Sequence, residues 1–143
     1  MGRYENFKLI KNVKGSIIEC GVYHGGGLMD WAKLSFNLEP YAMHRKVIGF
    51  DTFEGFPSIS ENDGSKYKNE NLKEAGFATE YNVHNELIDV IQEYDNNRSL
   101  NQFNKIELIK GDATKTIPEY LRFNKHLVVA LLFLDFDLYD QLK

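Results

Sequence analysis

The chain has 143 residues, a hydrophobic fraction of 43% and 13% aromatics, which is the composition of one ordinary globular domain and excludes a disordered chain. Its 17 basic and 21 acidic side chains leave a net charge of −4, which argues against a nucleic-acid partner that would need a basic face. The longest apolar run, Leu127 to Leu134, is eight residues against the ~20 of a membrane helix, so no membrane partner is expected.

In chain order, the stretch from Met1 to Lys14 is polar and lacks the apolar core of a secretory signal. Ser16-Ile17-Ile18-Glu19-Cys20 is short, β-branched and closed by glycine, and reads as a strand. The single cysteine, Cys20, fits a reducing cytoplasm, the expected location. At the end of an apolar strand with no evident base beside it, Cys20 reads as a small buried hydrophobe and not a nucleophile. A helix is expected from Gly27 to Leu38, with Met29 and Trp31 in the core. The second strand runs from Lys46 to Phe50 and ends at Asp51. The polar stretch Glu54 to Asn71 reads as a long mobile loop.

A second helix is expected from Thr79 to Tyr94, because Val83, Leu87, Val90, Ile91 and Tyr94 recur on one face. The third strand, Lys105 to Lys110, closes at Gly111-Asp112. A short helix from Ile117 to Phe123 is expected next, with Pro118 in its first turn. Leu127 to Leu134 is apolar throughout, the pattern of a strand buried on both faces. Alternating strands and helices imply an α/β, Rossmann-like, doubly wound and mostly parallel sheet with helices on both faces. Each strand ends in an acidic or glycine-rich turn, and such ends converge on the edge where ligands bind.

The strongest local signal is Glu19-Cys20-Gly21-Val22-Tyr23-His24-Gly25-Gly26-Gly27, at a strand-to-helix junction. Gly21 lets a ligand approach the backbone, and Gly25 to Gly27 permit a tight turn before a helix N-terminus that suits a carboxylate or phosphate. It is not the dinucleotide fingerprint, since no G-x-G-x-x-G occurs. Asp135 and Asp137 lie two apart, so a strand would aim both carboxylates at one face, a pair suited to Mg²⁺ or another hard divalent cation.

Glu-x-Gly-x-x-x-Gly after a first strand, followed by an acidic residue closing the second, resembles the class I S-adenosylmethionine-dependent methyltransferases. With Asp51-Thr52-Phe53-Glu54-Gly55-Phe56-Pro57, Thr116-Ile117-Pro118 and Leu134-Asp135-Phe136-Asp137-Leu138-Tyr139, the chain resembles the macrocin O-methyltransferase family, which methylates sugar hydroxyls. The resemblance runs from about Gly15 to the last residue. It implies S-adenosylmethionine as cofactor and a small hydroxylated acceptor, a sugar or similar polyol.

The resemblance also implies roles. Glu19 and Gly21, with Cys20, Val22, Tyr23 and Gly25 around them, would lie along the methionine end, Glu19 near the ammonium group. Asp51 would accept the ribose hydroxyls, and Thr52 and Phe53 would flank the adenosine. Asp112, after Gly111, would reach the adenine amino group, or cap the helix that follows. Asp135 sits where the family places a metal ligand, while Asp137 binds the metal or shapes the turn. A metal would activate the acceptor hydroxyl, with Asp135 and His24 as the catalytic candidates. His84 is a weaker base candidate, and His44 and His126 read as solvent-facing. Phe50, Phe53 and Phe56 either line the adenine pocket or pack beneath the loop.

The class has a sheet ordered 3-2-1-4-5-7-6, of which only four strands are counted here, so residues 1–143 are expected to form one C-terminally truncated methyltransferase-like domain. The strand Leu127 to Leu134 would then be a bare apolar edge, and a homo-oligomer is expected. The alternatives are a non-catalytic cofactor-binding or interaction module, a nucleotide-sugar transferase with an Asp-x-Asp metal site, and a dinucleotide oxidoreductase.

Overall fold

Short β-branched strands alternating with helices along the chain assemble into one parallel sheet. A computed structural model describes residues 2–54 and 82–135. Its elements are α1 (Arg3–Ile10), β1 (Ser16–Cys20), α2 (Gly26–Leu38), β2 (Val47–Asp51), α3 (Val83–Asn97), β3 (Ile106–Lys110), α4 (Ala113–Phe123) and β4 (Val129–Leu134). The strands lie in the order β3-β2-β1-β4 with every neighbouring pair parallel. This is the doubly wound, Rossmann-like α/β arrangement that the alternation implies.

The alternation of side chains along each strand separates two cores. Ile17 of β1, Val47 of β2 and Ile106 of β3 join Phe7 and Ile10 of α1, Leu28, Met29, Trp31 and Ala32 of α2, and Leu87 of α3 on one face. Ile18, Cys20, Ile48 and Phe50 face the other way, where Ile117 and Tyr120 of α4 cover them. The change of face follows from the topology. From β1 through β2 to β3 the chain steps one way; from β3 to β4 it returns past both, and a crossover of the same hand then lies on the opposite face.

Several elements depart from the sequence expectation, each for a local reason. α1 has no apolar stripe to announce it, since only Phe7 and Ile10 are buried. α3 begins at Val83, where Asn82 caps it by accepting from the amide of Asn85 at 3.3 Å, and Val90 faces solvent. α4 starts four residues earlier than expected because Asp112 caps it, which moves Pro118 from the first turn into the second. The strand at Leu127 to Leu134 begins at Val129 and is not buried on both faces: Leu132 and Leu134 are 53% and 45% exposed. It is the edge strand of the described sheet, as the bare-edge expectation has it. Among the described residues no helix is long and apolar enough to cross a membrane.

α1 is fastened beside α2 by Arg45, one of the most deeply buried side chains of the described residues at 1% exposed. Its guanidinium donates to the carbonyls of Ile10, Val13 and Gly15 at 2.8–2.9 Å and forks onto Glu39, at the C-terminal end of α2, at 2.5 and 2.9 Å. A buried guanidinium is stable only when its donors are satisfied, and here three carbonyls and one carboxylate do so. Arg45→Met leaves Glu39 and those carbonyls without their donor, so it is expected to cost about 3–5 kcal/mol in urea unfolding. Arg45→Lys is expected to recover only a minor part, because an ammonium cannot reproduce the planar fork.

Candidate functional site

The sheet reverses its winding between β1 and β4, and the crevice beyond the carboxyl ends of those strands is where parallel α/β sheets hold ligands. Four turns meet along this edge: Gly21 to Gly27 after β1, Asp51 to Phe53 at the end of β2, Gly111-Asp112 after β3, and Asp135 after β4.

The first turn is shaped by close backbone approach. The amide of Gly21 donates to the carbonyl of Phe50, and the amide of Asp135 donates to the carbonyl of Cys20 at 2.8 Å, so Asp135 lies directly beside Gly21. Gly21 has φ +89, and a Cβ there would overlap the Asp135 carbonyl oxygen. Gly25, at φ +83, is the N-cap of α2 and provides no side-chain cap for the first amides of that helix. A Cβ on Gly25 would run into Leu87 of α3. Gly26 differs from both: its φ is ordinary and nothing lies within 4 Å of a Cβ placed there.

Acidic side chains dominate this edge. One oxygen of Asp51 accepts the amides of Val22 at 2.7 Å and Tyr23 at 2.8 Å, and the other accepts the amide of Phe53 at 2.8 Å. A carboxylate has about four acceptor sites, so it retains capacity for a ligand hydroxyl. Glu19 is 1% exposed and pairs with Arg3 of α1 at 2.9 Å, while its Oε2 accepts no hydrogen bond from the described residues. Burial raises the Glu19 carboxyl above its ordinary range, and Arg3 pulls it back down. Asp135 is exposed. Asp112 takes the capping role, accepting from the amide of Thr114 at 3.0 Å and its hydroxyl at 2.8 Å. Gly111, at φ +140, donates its amide to the carbonyl of Asp51. Lys110 pairs with Glu54 at 3.1 Å.

The remaining candidates separate clearly. His24 is exposed, its ring 4.2 Å from Tyr23, while the His84 ring lies tilted against Phe53 at 5.1 Å. Phe53 thus packs beside the edge, whereas Phe50 points into the other core against Tyr120 at 5.6 Å. Phe56, Asp137 and residues 55–71 of the polar loop lie outside the described residues. Thr52 is half-buried, its hydroxyl accepting from the amide of Glu54. Cys20 is buried, which pushes its thiol up to about 11 and leaves it unreactive at neutral pH. His44 and His126 are exposed, and Met29 and Trp31 are core, as expected. Among the described residues no three His, Cys, Asp or Glu side chains gather as a metal site. Arg3 was not among the sequence candidates; nothing in a pattern read along the chain links it to a strand residue sixteen positions away.

A doubly wound parallel sheet with a glycine turn at its switch point and an acidic residue closing the adjacent strand defines a Rossmann-like α/β domain. The family model of the macrocin O-methyltransferases (TylF) matches residues 6–143, and the chain belongs to that family. Solved structures agree. The crystal structure of CalS11, a calicheamicin methyltransferase, is 30% identical with a TM-score of 0.87 over 96% of this chain and 53% of that one. The apo structure of CalS11, described as a TDP-rhamnose 3′-O-methyltransferase of calicheamicin biosynthesis, gives 26% and 0.72 over 96% and 51%. The O-methyltransferase NovP, at 22% identity and 0.63 over 97% and 55%, shares the fold. The chain therefore spans about half the length of these structures. No curated protein sequence matches it.

The glycines of the first turn carry separable loads. Gly21→Ala combines a left-handed φ with backbone overlap and is expected to destabilise by more than about 1 kcal/mol. Gly26→Ala has open space and an ordinary φ, and is expected to leave stability unchanged or raise it by up to about 1 kcal/mol. Thermal unfolding of both variants checks the contrast.

Proposed function

We propose that this chain binds S-adenosylmethionine at the β1–β4 switch point and belongs to an O-methyltransferase acting on a hydroxyl of a sugar or sugar-containing metabolite. The observation that carries the cofactor reading is the charge of the edge. Glu19, Asp51 and Asp135 surround the glycine turn, and among the described residues Arg3 and Lys110 beside them are each paired, Arg3 with Glu19 and Lys110 with Glu54. Three carboxylates favour a ligand carrying ammonium and sulfonium charge and oppose a dinucleotide's pyrophosphate. The free acceptor capacity of Glu19 and Asp51, and the open space over Gly26, fit such a ligand. The sugar acceptor is supported by the family and by the description of CalS11 as a TDP-rhamnose methyltransferase.

In this reading Asp51 binds the ribose hydroxyls and the uncapped amides of α2 receive the methionine carboxylate. Glu19 faces the ammonium group, with Cys20, Gly21, Val22, Tyr23 and Gly25 forming the wall beside it. Thr52 and Phe53 flank the adenosine, and Gly111 and Asp112 close its far end. The cofactor supplies a methyl group on a sulfonium: the acceptor oxygen forms the new C–O bond as the S–C bond breaks, giving a thioether. The hydroxyl proton must leave, and in this reading Asp135 or His24 accepts it. A divalent cation at Asp135 and Asp137 belongs to the same proposal on the Asp-x-Asp spacing, since one or two carboxylates with waters are a donor set Mg²⁺ accepts. When bound it would lower the pKa of the hydroxyl.

Homo-oligomerisation is proposed from the exposed β4 edge, with Leu132 and Leu134 open on one face. Sedimentation at tens of micromolar is expected to show a dimer or larger, and a monodisperse monomer would overturn this.

The cofactor reading is tested by calorimetry. Folded wild-type protein is expected to bind S-adenosylmethionine and give no heat with NAD. Asp51→Ala is expected to weaken cofactor binding by at least about tenfold, the low end for losing charge-assisted hydrogen bonds. Absence of heat with millimolar S-adenosylmethionine would sink the reading. Turnover of a hydroxylated acceptor that survives chelation of divalent cations would remove the metal from it.

A further inference from the structure

We propose that Arg3 of α1 is a positioning residue of the cofactor site: its pairing with Glu19 holds a charged carboxylate beneath the glycine turn, where it attracts the ammonium end of the ligand. The inference rests on the S-adenosylmethionine reading above and adds the N-terminal helix to it.

Glu19 projects from β1 into the core under α1 and α2, where it is 1% exposed. A carboxylate that deep needs a partner to stay charged. Arg3, from α1, is the partner, at 2.9 Å on Oε1. The other charged groups that act on it, Asp30 of α2 and Asp135 after β4, are acidic and oppose its ionisation. Without Arg3, Glu19 would be one carboxyl among three with no other cation acting on it among the described residues, and its charged form would lose its support. A neutral carboxylic acid has no charge to offer an ammonium group.

Two further observations show that the pair is built in place. The Arg3 guanidinium is held between aromatic rings, 5.0 Å from the centroid of Phe133 on β4 and 5.7 Å from that of Trp31 on α2. Gly27, in the first turn of α2, makes room for it, because a Cβ there would overlap both the Arg3 guanidinium and Glu19 Oε1. The second oxygen of Glu19 accepts nothing from the described residues, so the carboxylate has acceptor capacity that Arg3 does not use. Fastening is already supplied by Arg45, which holds the carbonyls of Ile10 and Val13 at the other end of α1, and by Phe7, fully buried.

The test compares two ligands that differ at the methionine end: S-adenosylmethionine, and 5′-methylthioadenosine, which lacks the amino acid. Affinities are measured by calorimetry on wild-type protein, Arg3→Met and Arg3→Lys. Arg3→Met keeps an unbranched side chain between the rings and removes the charge. It is expected to weaken S-adenosylmethionine about 10- to 100-fold, the range for one charge-assisted hydrogen bond, and to leave 5′-methylthioadenosine within about twofold. Arg3→Lys is expected to restore most of the loss. Equal loss of both ligands in Arg3→Met would mean a purely structural role, and no loss of either would mean none; both overturn the proposal. Glu19→Gln, an isosteric neutral variant, is expected to show the same selective loss and decides the matter on the same terms if Arg3→Met does not fold. A wild-type protein that binds neither ligand fails the underlying cofactor reading, whereas one that binds both equally well in every variant fails this inference alone.

Discussion

The carboxylate of Asp51 receives the amides of Val22 and Tyr23 on one oxygen and that of Phe53 on the other, so a single side chain ties the turn after β1 to the end of β2. Both Tyr23 and Phe53 are non-glycine residues in the left-handed region, at φ 52 and 56. Each such residue costs about 1 kcal/mol or somewhat more. Hydrogen bonds to an ionised acceptor return about 1.5–3 kcal/mol apiece, so the three bonds outweigh the two strained residues. The strained backbone is thus a consequence of the carboxylate, and the shape of the whole edge depends on it.

A second constraint comes from charge. Glu19, Asp51 and Asp135 lie along one sheet edge, and like charges brought together are tolerated when each is satisfied in its own way. Asp51 is satisfied by backbone amides, Asp135 by solvent, and Glu19 by Arg3. The last of these recruits α1. That helix lies alongside α2, with Arg3 at its start against the first turn of α2 and Arg45 binding its end next to Glu39. A short helix with two buried side chains would fray in isolation; here two arginines hold both its ends. The proposed function gives this acidic edge a sense, since a sulfonium cofactor is one of the few nucleoside ligands that brings positive charge.

Much of this was legible in the sequence. The strands were placed to within one or two residues because β-branched runs closed by Gly or Asp admit little else, and β1 was placed without error. The turn from Gly21 to Gly27 announced itself by its glycines, and three of them carry loads the structure accounts for: Gly21, Gly25 and Gly27 each have a neighbour where a Cβ would stand. Helix starts were read less well. α4 begins after Asp112, which in the sequence reads either as a cap or as a ligand residue, and α3 begins after Asn82, a weaker signal than the apolar spacing that follows it. The eight-residue apolar run at β4 pointed to burial on both faces, yet Leu132 and Leu134 are half-exposed, because an apolar pattern reports what a strand is suited to pack against and not what covers it.

By itself, then, the sequence determined the class of sheet, the glycine turn and the acidic strand ends, all features set by local backbone preference or by spacing along the chain. Only the tertiary structure decided that one face of β4 stays half-exposed, that Asp135 stands against Gly21, and that Arg3 reaches Glu19. These contacts join segments whose separation along the chain carries no periodic signal: the crossover that reverses direction brings Asp135 to Gly21, and the packing of α1 beside α2 brings Arg3 to Glu19.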